Sequence, residues 1–296
     1  MKIGYPCINR SIGCTANSTF RLKNYSRQNL INKLENNLNC LLEILKFNLK
    51  NDLMFFRISS DLVPFASHPV CKFKWWKYFQ DYLKEIGIFI NQHQFRISMH
   101  PDQFVILNSP RSDVLDRSID ELNYHARVLD ALQLDKTAKI QIHVGGVYQQ
   151  KDLAIRRFIK NYEKLPPNIK NRLVIENDDR SYCVHDCIFI HQQTGIPVVF
   201  DNLHHFCLHQ GETMISAFSR CSSTWDKSDG VIITDYSEQN LSGKRCSHAQ
   251  SITPRKFKKY LAQVSSYNPD IMLEIKDKEI SGIKAVKILH NLLAEI

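Results

Sequence analysis

The sequence lacks the features that mark membrane proteins, secreted proteins and zinc fingers. No stretch approaches the roughly 18 consecutive apolar residues of a membrane-spanning helix. Met1 leads almost directly into an apolar run, without the basic region and cleavage site of a signal peptide. The nine cysteines form no C-x-x-C pair, and their odd number fits neither a disulfide framework nor a cysteine zinc site. We therefore expect a soluble intracellular protein without disulfides. It would lie in a reducing compartment, the cytoplasm and nucleoid or a eukaryotic nucleus.

The chain also has no Gly/Ser-rich or proline-rich linker that would divide it. Its 296 residues are 43% hydrophobic and 23% charged, which excludes a disordered or fibrous protein. One domain covering residues 1–296 is expected. The formal net charge of +9 favours a polyanionic partner such as nucleic acid. Charge alone is also compatible with a basic protein that has no such partner.

Short apolar runs alternate with longer helical patterns along the whole chain, as in a parallel α/β protein. The eight runs are residues 2–5, 55–58, 95–99, 139–143, 173–176, 197–201, 231–235 and 271–274. Between the first two runs, Leu30, Leu34, Leu38 and Leu41 recur at helical spacing. This pattern predicts a parallel (β/α)8 TIM barrel, with an open doubly wound sheet as the alternative. No apolar stripe is left over for a partner, so we expect a monomer.

Potential metal ligands fall at the ends of the predicted strands. The five that follow or end a strand are His100, His143, Glu176, Asp201 and Glu274. They should converge at the C-terminal mouth of the barrel, where barrel enzymes place their active sites. His204 lies three residues after Asp201, and His68 and His248 lie in loops on the same side.

Clustered carboxylates repel one another unless protons or cations neutralise them. Imidazole and carboxylate without thiolate suit zinc, manganese or iron better than calcium. We expect two or three divalent ions at the mouth. A single histidine or carboxylate in such a place would more often be structural, but five together favour cations.

Polar and aromatic residues beside this set suit a nucleic acid. Gln103 and Phe104 follow His100 in one loop, and Tyr5 and Asn9 belong to the first loop. Stacking on an aromatic ring contributes about 1–3 kcal/mol per base and helps to hold unstacked nucleotides. The alternative for Phe104 is ordinary packing beneath its loop.

Taken together, these residues resemble the ultraviolet-damage endonuclease family across nearly the full chain. The matching motifs are Gly4-Tyr5 with Asn9; 57–62 with Pro64 and His68; 96–101 with Gln103-Phe104; 122–125; 143–147; 172–179; 197–201 with His204; and 272–274 with Lys276. Each motif is short, but so many in fixed order are specific.

The resemblance implies a metal-dependent barrel that recognises ultraviolet photoproducts in duplex DNA and cleaves the phosphodiester 5′ to them. It implies damage-probing roles for Gln103 and Phe104, and lesion-side contacts for Tyr5 and Asn9. It implies ligand roles for His68, His100, His143, Glu176, Asp201, His204, His248 and Glu274. We expect Glu176, His143 and Glu274 to be catalytic, with Glu176 as a bridging carboxylate.

One segment departs from the family pattern. The family usually shows Lys-x-His-[Tyr/Phe]-Ser at the end of strand seven, where this chain has Ile233, Thr234, Asp235, Tyr236 and Ser237. Ile233 cannot ligate a metal, whereas Asp235 can. Because carboxylate is a harder ligand than imidazole, Asp235 favours manganese over zinc. The alternative is that Asp235 only hydrogen-bonds a neighbour, for example His248.

Three other functions fit parts of the pattern. An apurinic-site endonuclease or a sugar isomerase of a related barrel could present a similar mouth of histidines and carboxylates. A damaged-DNA-binding protein could have lost cleavage through the changes in strand seven. The aromatic and amide residues beside His100 argue against the isomerase, and we take damaged double-stranded DNA as the expected partner.

Overall fold

Eight short parallel strands close into a barrel. The computed structural model describes residues 1–294. Each strand pairs with the next along the chain, and β8 pairs with β1. The predicted barrel is therefore confirmed, and the open sheet is excluded. The strands are β1 Ile3–Pro6, β2 Phe55–Ile58, β3 Arg96–Met99, β4 Lys139–His143, β5 Leu173–Glu176, β6 Val198–Asp201, β7 Ile233–Tyr236 and β8 Asp270–Leu273.

Helices follow the strands and cover the outside of the barrel. In the first long helix, α1 (Arg27–Lys50), the leucines at helical spacing are buried, and the Ser26 side chain caps the helix by accepting from the Asn29 backbone N–H. Within the described residues, no helix has the length and apolar character needed to cross a membrane. The helices are α1 Arg27–Lys50, α2 Trp75–Tyr78, α3 Gln80–Gln92, α4 Ser112–Ala131, α5 Lys151–Glu163, α6 Pro167–Lys170, α7 Val184–Thr194, α8 Asn202–Cys207, α9 Met214–Ser222, α10 Pro254–Val264 and α11 Glu279–Ala294.

The barrel interior has its own apolar layer, separate from the core between strands and helices. Five strand residues form it: Phe55, Val174, Val199, Ile233 and Met272. Side chains two positions apart on a strand point to the same face. The next interior layer toward the mouth therefore holds the residues two positions later, which are Arg57, Glu176, Asp201, Asp235 and Glu274. The period of the strands thus brings one arginine and four carboxyl groups together.

Two disulfides correct the expectation of free thiols. Cys14 pairs with Cys40, and Cys207 pairs with Cys246, at Cα–Cα distances of 5.9 and 6.1 Å. The partners are 26 and 39 residues apart in sequence, so only the folded barrel makes them neighbours. Counting cysteines could not detect this, because an odd total leaves room for pairs and free thiols. The first bond ties the loop after β1 to α1.

Thiol titration should find five reactive groups in unfolded, unreduced protein, one for each unpaired cysteine that the structure describes. Reduction before unfolding should raise the count to nine, the total in the sequence. Peptide mapping without reductant should recover the Cys14–Cys40 and Cys207–Cys246 links. Nine free thiols in the oxidised sample would contradict both disulfides.

Candidate metal centre at the barrel mouth

Seven potential ligands meet at the C-terminal ends of the strands. Within each group the ligand atoms lie within 4.8 Å of one another. Glu176 belongs to the first two groups, and Asp201 belongs to the last two. The three groups are His100 with His143 and Glu176; Glu176 with Asp201 and His204; and Asp201 with Asp235 and Glu274. We call them the first, second and third groups.

Glu176 lies at the centre of this arrangement. Its carboxylate Oε2 is 3.4 Å from Nε2 of His100 and 3.7 Å from Nε2 of His143. Its Oε1 is 2.9 Å from Nδ1 of His204. Glu176 is also buried at the end of β5. Glu176 would therefore be a ligand common to the first and second groups if cations were bound there.

The local fold orients several of these ligands. Asp201 ends β6, and its Oδ1 accepts a hydrogen bond of 2.7 Å from the His204 backbone N–H as the N-cap of α8. Its Oδ2 remains available. Nδ1 of His100 lies 2.8 Å from the carbonyl oxygen of Pro101, so a hydrogen bond there leaves Nε2 free to ligate. Such backbone contacts are typical of metal-binding histidines.

Among the described residues, three buried polar atoms of these groups make no hydrogen bond. They are Oε1 of Glu176, which has an ion-pair contact of 2.9 Å with His204, Oδ2 of Asp201 and Nδ1 of His143. Buried polar atoms in folded proteins nearly always have a partner, and each exception needs an explanation. A cation would satisfy the two carboxylate oxygens and offset their charge. The residues present therefore fit a divalent metal centre.

The carboxyl and imidazole groups strongly perturb one another. Burial raises the pKa of Asp201 and of Asp235 to about 7. Burial alone would lower the pKa of His204, but Asp201 and Glu176 raise it to about 11. Burial opposes ionisation of Glu176 as well, yet the neighbouring histidines hold its pKa well below the usual value. Metal binding here would therefore displace protons from the site.

Arg57 and Gln141 complete the buried layer, and sequence reasoning assigned a site role to neither. Arg57 lies 2.8 Å from Oδ2 of Asp235 and also donates to Glu274. Nε2 of Gln141 donates to Oε2 of Glu176 and to Oδ2 of Asp235, at 2.6 Å in each case. Both residues lie inside buried strands near the ends that form the mouth, and a charged or amide side chain inside a buried strand is itself a signal.

Two predicted ligands lie outside the three groups. His248 is next to them, with Nδ1 3.8 Å from Oε2 of Glu274 and its ring 6.3 Å from that of His204. His68 is exposed, and its Nδ1 accepts from the Val70 backbone N–H. It lines a separate cavity beside α2 and α4. The structure therefore places His248 at the edge of the centre and does not bring His68 to it.

Tyr5 and Asn9 are buried, which does not fit the expected direct contact with a lesion. The Tyr5 hydroxyl donates to Oδ1 of Asn48 in α1 at 2.6 Å and accepts from Asn9 at 2.8 Å. Both side chains are almost fully inaccessible. Tyr5 follows the inward-facing Gly4, so strand alternation turns its ring toward the helices. These residues fix the first loop instead of facing solvent.

Gln103 and Phe104 are exposed beside the three ligand groups. Phe104 is 60% exposed, so the alternative of packing beneath the loop is wrong. A cavity of about 670 Å³ lies on the side of Arg57, His248 and Glu274. A second, of about 410 Å³, lies on the side of His143 and His204. Both share residues 100–103 as a wall, so the loop stands between two concave surfaces.

Comparisons with known proteins agree on one family. A family model described as UV-endonuclease UvdE matches residues 1–295. A UV DNA damage endonuclease from Clostridium perfringens (strain 13 / Type A) is 40% identical over 294 residues, which are 99% of this chain and 71% of that relative. The crystal structure of SacUVDE matches with a TM-score of 0.95 and 46% identity, covering 99% of both chains. Endonuclease IV from Thermus thermophilus has a TM-score of 0.58 at 11% identity, covering 86% of this chain and 95% of its own, and shows the fold alone.

Proposed function

The chain belongs to the UV-endonuclease UvdE family, and on that premise we propose that it is a metal-dependent DNA repair endonuclease. Its substrate would be an ultraviolet photoproduct in duplex DNA, and the bond hydrolysed would be the phosphodiester 5′ to the lesion. The observation that supports this best is the buried Glu176, shared by two ligand groups beside the exposed Phe104. An acidic metal centre and an exposed ring at one mouth suit cleavage next to an unstacked base.

The proposed chemistry is hydrolysis in a centre that Glu176 links. Divalent ions bound there would activate water and stabilise negative charge on the phosphate oxygens. His143 belongs to the first group, Glu176 links the first and second groups, and Glu274 belongs to the third group and borders the larger cavity. Gln141 holds the Glu176 carboxylate in place through its amide. Manganese is the metal we favour, with zinc as the second choice, because carboxylates outnumber imidazoles in the second group.

Lesion recognition would depend on the loop between the two cavities. A photoproduct distorts its own base stack, so moving it out of the helix costs less than the usual few kcal/mol. The exposed ring of Phe104 can stack in the gap, and the amide of Gln103 can bond to base edges. The net charge of +9 would attract the DNA backbone, and Lys276 and Lys278 line the larger cavity.

We further propose that the barrel acts as one domain and as a monomer, in the compartment that holds the DNA. The exposed large apolar residues of the described chain are scattered over different elements, which supports a monomer. Sedimentation at working concentrations would test it. A stable dimer would contradict the proposal.

Incubation with irradiated, abasic and intact duplexes, each with manganese, tests the proposed function. We expect nicks in irradiated DNA, few in intact DNA, and none in any duplex after EDTA treatment. Nicking of abasic DNA alone would favour an apurinic-site endonuclease. Tight binding of irradiated DNA without nicking would favour a damage-binding protein, and no preference among the duplexes would refute all three.

A further inference from the structure

The third group differs from the other two because an arginine already occupies it. Nη2 of Arg57 contacts both oxygens of Asp235, at 2.9 and 2.8 Å, and its Nη1 bonds to Glu274. The same Nη2 donates to Oε1 of Gln141 at 3.0 Å. Asp235 is fully buried, and Arg57 nearly so. The guanidinium therefore sits among the carboxylates that a third metal ion would need.

The buried atoms without hydrogen-bond partners also distinguish Asp235 from the other carboxylate ligands. Among the described residues, Oε1 of Glu176, Oδ2 of Asp201 and Nδ1 of His143 lack hydrogen-bond partners. Glu176 and His143 belong to the first group, and the second and third groups share Asp201. Asp235 has no unpartnered oxygen, because Arg57 contacts both and Gln141 also donates to Oδ2. The unpartnered carboxylate oxygens thus lie on Glu176 and Asp201, whereas both oxygens of Asp235 are already bonded.

The sequence explains why the arginine binds here. An imidazole at position 235 would offer a guanidinium a single acceptor and no negative charge, whereas a carboxylate offers two charged oxygens. Ile233, two residues earlier, lies in the apolar interior layer and supplies no ligand from below. A buried guanidinium needs carboxylate partners, and Asp235 and Glu274 provide them.

We propose that Arg57 fills the third cation position, so that the protein binds two divalent ions and not three. This rests on the proposed metal-dependent function. The two ions occupy the first and second groups, with Glu176 between them. Asp235 then ligates no metal and holds Arg57, which borders the larger cavity as a fixed positive charge. Two divalent ions and Arg57 already offset the charge of the four carboxylates, whereas a third ion would add charge with no free carboxylate to receive it.

Metal counting tests the proposal directly. The full-length protein is dialysed against excess manganese, freed of unbound metal, and measured by elemental analysis and native mass spectrometry. We expect two ions per wild-type chain. Arg57→Met frees Asp235 and Glu274 and should bind a third ion, whereas Arg57→Lys, which keeps the charge, should bind two. Three ions in the wild type, or two in a folded Arg57→Met variant, would overturn the proposal.

If Arg57→Met does not fold, Asp235→Asn provides a second test of the same proposal. The amide retains the size of the side chain but removes the charge that holds the guanidinium. We expect it to keep two ions and to lose about 10–100-fold in cleavage, as is usual when a group that orients an active site is changed. A fall to one ion would identify Asp235 as a metal ligand and contradict the role given to Arg57.

Assaying irradiated DNA with the same preparations separates this inference from the proposed function. Two ions in the wild type without nicking would refute the endonuclease and leave the role of Arg57 intact. Three ions with efficient nicking would overturn the role given to Arg57 and leave the proposed endonuclease intact.

Discussion

Glu176→Gln should lose bound metal and DNA cleavage together. Glu176 is the ligand common to the first and second groups, and one of its buried oxygens has no hydrogen-bond partner. The amide removes the charge from both groups at once. We expect at least one ion to leave and cleavage to fall on the order of 1,000-fold or more, which corresponds to about 4 kcal/mol in the barrier. Elemental analysis and single-turnover nicking of irradiated duplex would measure both losses.

Glu121→Gln is the matched control, because Glu121 is a partly buried carboxyl in α4 outside the three groups. It should keep its metal and its cleavage rate. Circular dichroism should show the barrel folded in both variants. Full metal content and normal cleavage in Glu176→Gln would show that Glu176 is not part of the metal centre.

Replacing both Gln103 and Phe104 with alanine should weaken discrimination between damaged and intact DNA. The two side chains are exposed on the wall that separates the cavities, so their loss removes stacking without disturbing the core. Stacking of about 1–3 kcal/mol per base predicts a loss of about 5- to 150-fold in preference for irradiated duplex. Competition binding and nicking with irradiated and intact duplexes would measure the ratio.

Metal content should stay unchanged in this double variant, since neither residue belongs to a ligand group. Phe189→Ala is a suitable control, because Phe189 is a half-exposed ring on the outer helix α7. Its discrimination should match that of the wild type. An unaltered preference for irradiated DNA in the double variant would show that the loop does not probe damage.

The barrel and most of the ligand set can be predicted from the sequence, because both depend on how apolar residues repeat along short segments of the chain. Alternating apolar runs and helical faces predict βα units, and parallel strands of a barrel end at one mouth. A residue that ends a strand, such as His143 or Glu176, is therefore placed by counting alone. Strand ends proved accurate to within two residues, which was enough to bring these side chains together.

Other features depend on contacts that no local pattern contains. The family resemblance implies a lesion contact for Tyr5, but strand alternation turns its ring toward α1. His68 lies in a loop whose path the sequence does not specify. In the structure, its side chain lies away from the ligand groups. The disulfide partners meet only after the barrel closes.

The interactions of Asp235 illustrate the same limit. The sequence shows that a carboxylate replaces the family's usual imidazole, and it leaves open whether this carboxylate ligates a metal or bonds to a neighbour. His248 is the example of a hydrogen-bonding neighbour that the sequence offers for Asp235, whereas the structure pairs Asp235 with Arg57 across the barrel. The two residues are 178 positions apart in the chain, so only the closed barrel shows that they are partners.

The most direct test of a metal-dependent lesion endonuclease maps the nick in a duplex that carries one ultraviolet photoproduct at a known position. The damaged strand is labelled at its 5′ end and incubated with the protein and manganese, and the product is resolved beside a sequence ladder. We expect one product, ending at the phosphodiester immediately 5′ to the lesion. It should vanish with EDTA and return when manganese is added in excess. A nick elsewhere, or one that persists in EDTA, would contradict a metal-dependent lesion endonuclease.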